Sequence, residues 1–409
     1  MSPRLFELLD LAARWVHVIA GIMWVGNSLL FNWLDRTLTA PSRSGEGLQG
    51  ESWLLHSGGF YFVEKTQLVG QPLPHTLHWF KWQAYTTWLS GAVLLLVVYY
   101  LGGRAAMADS AVSSISHGTA VAVGIGAILG GVAIYEGVQR AIAPRAPAIA
   151  NALLLLAFAG VTYSLTHLLS GRAAFLHVGA MLASIMAGNV AMTIIPSQRE
   201  LVKSVAGEGR ANPAISARAK RVSITNNYVT FPVIALMVSG HFSAVYSGRY
   251  SWVALLVIVA TGAAVRHLMN VRYTLGWWKP ALATTVAAGL GGLWLLQSLG
   301  ARRDDAASAM AAPAGPVSFA ETRHVIDRRC AACHSLQPSD SLFGAAPAGV
   351  AFDEPAQIVA HAARIRERAV VTRTMPPANR THITDAERAL LGRWIDQGAS
   401  LAEPHQLPR

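Results

Sequence analysis

The chain has 409 residues, of which 53% are hydrophobic and only 13% charged, and its mean hydropathy is +0.37. That balance excludes an ordinary soluble globule and fits a multi-pass protein of the lipid bilayer. The formal charge of +11 lies almost wholly before residue 318, since residues 318–409 hold 11 Lys+Arg against 10 Asp+Glu; no basic stripe is interleaved with stacking aromatics, so a nucleic-acid partner is not expected.

About eight apolar segments are long enough to cross a bilayer, near 12–34, 84–101, 117–135, 148–167, 174–195, 228–246, 251–269 and 280–299. They predict an all-α polytopic transmembrane bundle over residues 1–300. Gly130-Gly131 and Gly291-Gly292 suit close helix packing in lipid. The first segment carries Asn27 and lacks a small-x-small cleavage site, so it reads as a membrane helix and not as a cleaved leader.

Between the first two segments lies a link, 35–83, rich in aromatics and His. It includes Trp53, His56, Phe60, Tyr61, His75, His78, Trp79, Lys81 and Trp82. Two readings stand side by side. One is an interfacial segment anchored by Trp and Lys. The other is part of a site for a flat anion, with aromatics against its face and His78 or Lys81 at its charge.

Lys and Arg orient the bundle. Arg36, Arg43, Lys65 and Lys81 follow the first helix, and Arg140 and Arg145 the third. Arg199, Lys203, Arg210, Arg218, Lys220 and Arg221 follow the fifth, and Arg272 and Lys279 the seventh. The opposite links carry only Arg104, Arg172 and Arg249. The positive-inside rule makes the first set cytoplasmic. An even helix count then places both termini outside, in a bacterial-type inner membrane with the C-terminal region in the periplasm.

The two halves share features. Trp15-Val16-His17 followed by Gly26-Asn27 parallels Phe175-Leu176-His177 followed by Gly188-Asn189. Tyr85-Thr86-Thr87-Trp88 likewise parallels Tyr228-Val229-Thr230-Phe231, the pattern of a four-plus-four repeat. On this topology His17, His117, His167, His177 and His241 all fall toward the periplasmic side, and His267 toward the cytoplasm. Intramembrane ionisable groups default to function, and two imidazoles from different helices could bind a haem b.

Residues 301–317 are rich in Ala, Pro and Gly and read as a flexible linker. Beyond it, Cys330-Ala331-Ala332-Cys333-His334 has the C-x-x-C-H spacing of covalent haem attachment and contains the chain's only two cysteines. A redox C-x-x-C pair would need a βαβ context, and a zinc site a second pair of ligands; neither is visible. One haem c is therefore expected on Cys330 and Cys333, with His334 as proximal axial ligand to the iron. Met375, in Thr374-Met375-Pro376-Pro377, is the expected sixth ligand, with His361 and His382 as rivals. Ser318-x-x-Glu321 and Thr384-x-x-Glu387 are capping boxes that open two helices. Asp353 with Pro355 opens another, and Gly398 ends the last. Helices around this motif and a Met-Pro-Pro loop resemble a class I cytochrome c over 318–409.

Nearly the whole chain resembles the membrane-bound, cytochrome c-type urate oxidases (urate hydroxylases). The resemblance rests on Trp15 through Ser28, on His78-Trp79-Phe80-Lys81-Trp82 through Gly91, and on the haem motif. It implies oxidation of urate, or a similar small purine, to 5-hydroxyisourate, with electrons leaving through the haem to a terminal oxidase or soluble cytochrome. The alternative is a membrane-anchored cytochrome c electron-transfer subunit with no substrate chemistry of its own, serving quinol or a terminal oxidase. The candidate catalytic residues are His17, His177, His241, His78 and Lys81. Distance divides them. With the haem outside, a ~30 Å hydrocarbon core separates it from the cytoplasmic link. The substrate then reaches either the outer half near His17, His177 and His241, or the link near His78 and Lys81 with a second redox centre bridging the membrane.

Overall fold

A computed structural model of the chain describes residues 3–68, 72–101, 104–109, 112–207, 212–311, 315–340 and 346–402. It is a polytopic helical bundle followed by a smaller helical domain. Among the described residues, seven helices are long and apolar enough to cross a membrane. They lie within α1 (Pro3–Thr37), α4 (His117–Ala141), α5 (Pro147–Leu168), α6 (Gly171–Asn189) with its continuation, α8 (Pro213–Ser239), α10 (Ser251–Val271) and α11 (Trp278–Ala311). In the place of the second predicted segment, α2 (Lys81–Leu94) runs on as a π-helical stretch, Leu95–Tyr100.

Two helices extend well past their expected ends. α6 passes through a π-helical turn, Val190–Ile194, into α7 (Ile195–Val205), and α8 begins at Pro213, where the Asn212 side chain accepts from the Ala214 N–H. The added turns carry Arg199, Lys203, Arg218, Lys220 and Arg221. Hydropathy stops where charge begins, but backbone hydrogen bonding does not. Arg210 lies outside the described residues.

The link 35–83 holds a feature that the helical reading missed. β1 (Leu48–His56) and β2 (Gly59–Thr66) pair antiparallel, with Trp53 opposite Phe62 and Leu55 opposite Phe60. The intervening Ser57 and Gly58 both have positive φ, 50° and 76°. Such a two-residue turn twists in the sense that strands need. The alternating run is short, and aromatics fit a membrane interface as well as a strand, so composition alone did not separate them.

α6 is the pivot of the bundle. Over half of its spanning window is buried, against 6% for α1 and for α11. Phe175, Val178 and Met181 pack with Leu236 of α8 and Leu255 of α10. Two glycines of α4 make the approach possible. A Cβ at Gly124 would lie 2.6 Å from His177 Nε2, and one at Gly131 2.4 Å from Met181 Sδ. In lipid, where apolar surface alone does not drive helices together, such close backbone packing does. Outward-facing Leu155, Leu156 and Trp294 remain exposed, as a bilayer-facing surface requires.

Short helices cap the end of the bundle opposite the hairpin: α3 (Arg104–Met107) and α9 (Ser243–Tyr246). The C-terminal domain packs at that end. α11 lies beside α15 (Asp385–Asp396), and α3 beside the turn Pro377–Asn379. Arg368 Nη1 donates to Ser243 Oγ at 2.6 Å. The expected linker, 301–317, begins within α11. Residues 301–311 continue α11 as helix, for which their alanines have high propensity. Residues 312–314 and 403–409 lie outside the described residues.

Within this domain, α12 (Phe319–Arg329) and α15 both begin with the expected capping boxes, on Ser318–Glu321 and Thr384–Glu387. α13 (Pro355–Ala360) starts one residue later than expected. Glu354 is its cap, and Asp353 instead accepts from Ser335 Oγ and the Leu336 N–H. After His361, α14 (Ala362–Ile365) and a π-helical turn, Arg366–Val371, complete that arm. Val325, Ile326, Phe352, Ile358, Ile365, Leu391 and Trp394 form the core.

Candidate functional site

Two arrangements at opposite ends of the molecule carry chemistry. The first is the Cys-x-x-Cys-His turn. α12 ends at Arg329, and the His334 N–H returns to the Cys330 carbonyl at 2.9 Å, so both thiols and the imidazole sit on one tight turn. His334 Nδ1 lies 2.9 Å from the Val350 carbonyl, and Phe352 packs against the ring. A carbonyl can only accept, so Nδ1 carries the proton and Nε2 keeps its lone pair for a metal. Cys330 and Cys333 form no disulfide. Burial pushes the Cys330 thiol up to about 12, and burial together with Asp340 raises Cys333. This is the reverse of a redox C-x-x-C pair, whose attacking thiol is depressed.

Met375 is held by its backbone. Its N–H donates to the Arg368 carbonyl, and its own carbonyl accepts from Arg388 Nη1, both at 2.9 Å. Arg388 also reaches the Ala369 carbonyl. Burial, then Arg373, brings this guanidinium down to about 10. Beside it, Arg329 grips Glu387 with two nitrogens at 2.9–3.1 Å. Burial pulls the Glu387 carboxyl up, but the Arg329 and Thr384 bonds outweigh it and hold it below its usual range. The Ser335 hydroxyl and Leu336 N–H likewise hold Asp353 low. The rival ligands differ in setting: His361 caps α14 with its ring edge-on to Phe352, and His382 is exposed on a residue with φ of 55°. The donor set of two thiols, an imidazole with a free Nε2 and a tethered thioether fits a covalent haem.

The second arrangement is a polar cavity of about 700 Å³ at the hairpin end, between α1, α2, α7, α8 and α10. Trp24, Trp79 and Tyr228 give it flat walls; His78, Lys81 and Lys220 give it charge. Lys81 Nζ lies 5.9 Å from the Trp79 ring centre. Asn27 donates to Gln83 at 2.6 Å, and Asn227 Oδ1 accepts from Asn270 Nδ2 at 2.7 Å and from Arg266 Nε at 3.2 Å. That leaves Asn270 Oδ1 buried in the cavity wall and, among the described residues, without a partner. A smaller polar cavity of about 110 Å³ shares Trp24, Ser28, Val190 and Ser223 with it and reaches Asn226 and Thr230. From Thr230 to the end of α8 at Ser239 the rise is only ~14 Å. The polar space therefore penetrates well into the bundle.

The structure separates the expected catalytic residues. His78 and Lys81 line the cavity. His17 instead bonds the Thr87 carbonyl and Ser90 Oγ through Nδ1 and packs on Gly91. His177 is fully buried, with Nδ1 at the Ala173 carbonyl and Nε2 3.2 Å from Tyr100 OH. Since Gly124 closes over the same nitrogen, His177 as packed here does not fit a haem b. His241 is exposed near the docked domain. His17, His177 and His241 thus do not converge. The reading of His positions missed Asn227, Asn270 and Lys220, whose signal was present: polar residues near the ends of apolar helices need a reason to be there.

A family model described as urate oxidase N-terminal matches residues 3–295. No curated protein and no solved structure matches the chain.

Proposed function

The chain belongs to the urate oxidase N-terminal family, and from that premise we propose that it oxidises urate to 5-hydroxyisourate in the polar cavity and releases the electrons through haem c. The observation that carries the site is Asn270 Oδ1, a buried acceptor with no partner among the described residues, in the wall of a cavity that also presents two lysines. Urate is flat, anionic, and bears both N–H groups and carbonyls. Its ring N–H satisfies Asn270 Oδ1, whose unmet hydrogen bond costs ~1–3 kcal/mol. Lys81 and Lys220 meet the negative charge. Trp24, Trp79 and Tyr228 stack on or flank the ring. His78, at the rim, is the candidate to take the ring proton as urate gives up two electrons, one at a time; water then adds to the oxidised ring, supplying the hydroxyl of 5-hydroxyisourate and releasing the second proton.

Haem c, when bound, supplies a one-electron acceptor with a potential raised by thioether ligation. For that group Cys330 and Cys333 would provide the covalent links, and His334 Nε2 and Met375 Sδ would hold the iron. Arg388 orients the Met375 loop, and the Val350 carbonyl fixes the His334 tautomer. The cavity and the C-terminal domain lie toward opposite ends of the bundle: from Asn270 to the far end of α10 at Ser251 the rise is ~28 Å, so passage of electrons from this site to haem c requires a second redox centre between them.

The test uses the whole purified protein. Urate should reduce the haem, and Asn270→Leu should weaken urate binding about 10-fold or more while leaving the covalent haem in place. Haem that urate never reduces, although dithionite does, would favour the electron-transfer subunit instead. Urate binding that survives Asn270→Leu unchanged but fails in His17→Ala would move the site to the other end.

A further inference from the structure

A second cavity, of about 410 Å³, lies on the far side of Tyr228 between α4, α5, α6, α8 and α10. Its character is different. Leu154, Phe158, Met181, Ile185 and Val259 make it almost wholly apolar, and Ile134 and Leu155 at its mouth are 47% and 68% exposed toward the bilayer. At the end nearest the α4–α5 turn it presents two amides, Gln139 and Asn151. Gln139 is only 5% exposed, yet its Oε1 has no hydrogen-bond partner among the described residues. An orphaned acceptor inside an apolar wall is unfavourable unless a ligand supplies the donor.

From this we propose that the cavity binds a membrane-soluble hydroquinone: a flat ring whose hydroxyl donates to Gln139 Oε1, with its apolar tail leaving toward the lipid past Leu155. The volume lies in the range of small-molecule sites. An acyl chain would leave Gln139 unsatisfied, and a phosphate oxygen would meet it acceptor to acceptor. The inference does not depend on where or whether urate binds, because none of the residues that carry it lines the polar cavity.

The experiment titrates the full-length, delipidated protein in detergent with decylubiquinol, followed by calorimetry. Saturable binding at one site is expected, about 3- to 10-fold weaker in Gln139→Leu. Leu155→Trp, at the exposed mouth, should also weaken it by narrowing entry, and serves if Gln139→Leu fails to fold. Three results would overturn the proposal: no saturable binding to the native protein, equal affinity in both variants, or displacement of decylubiquinol by tetradecane at matched concentration, which would make the cavity an acyl-chain groove.

Discussion

At the scale of single residues, the C-terminal site depends on atoms that cannot be exchanged. Replacing His334, or both Cys330 and Cys333, by Ala should eliminate normal covalent haem, read as loss of the haem-stained band on a denaturing gel. Met375→Ala should keep that band but lower the reduction potential, because thioether ligation raises it; an unchanged potential would point to His361 or His382. The Arg329–Glu387 pair offers a different test. Both side chains are under one-fifth exposed, so Glu387→Gln should cost ~1.5–3 kcal/mol, the worth of charge-assisted bonds. The Arg329 and Thr384 bonds, outweighing burial, keep the folded Glu387 carboxyl below the usual carboxylate range. The pair's contribution is therefore complete above that range and is lost as pH falls through the lowered folded pKa. Thermal melts at pH 7 and pH 3 should show the variant's deficit at pH 7 shrinking at pH 3.

At the scale of elements, the contact of α4 with α6 rests on glycine. Gly124→Ala would place a Cβ 2.6 Å from His177 Nε2, on a side chain already fixed by Ala173 and Tyr100. Overpacking of this kind costs ~1–3 kcal/mol. The variant should melt several degrees lower in detergent, whereas Gly126→Ala, which meets nothing within 4 Å, should melt as the native protein does. Much of this level was readable in the sequence. Both capping boxes and the Gly398 stop, where φ is 94°, follow from local hydrogen bonding. Strand pairing in β1 and β2 was not, because a hairpin is decided by cross-strand partners.

At the scale of the whole molecule, the C-terminal domain is seated on α3 and α9, with Arg368 bonded to Ser243. If this seating delivers electrons, Arg368→Ala should slow haem reduction by urate several-fold while leaving reduction by dithionite, which needs no seating, unchanged. Equal slowing by both reductants would mean that the substitution damages the C-terminal domain itself. Helix through residue 311 also limits the domain's reach, so any release from the seat must occur beyond that point.

The amino-acid sequence alone determined the membrane bundle, the C-terminal helical domain and the Cys-x-x-Cys-His turn. Each depends on composition or on spacing of a few residues, and neither needs distant partners to be recognised. Tertiary structure decided the rest. Nine histidines looked alike as polar intruders in apolar helices and their links, and only packing distinguished His78, in the wall of a cavity, from His177, sealed between Gly124 and Tyr100. Asn27, Lys81, Lys220, Asn227 and Asn270 are spread over more than 240 positions and share one cavity. Hydropathy sees each as a small interruption. Their common site exists only because α1, α2, α8 and α10 bring their polar ends together, where burial makes an unpaired amide oxygen costly and a matching ligand favourable.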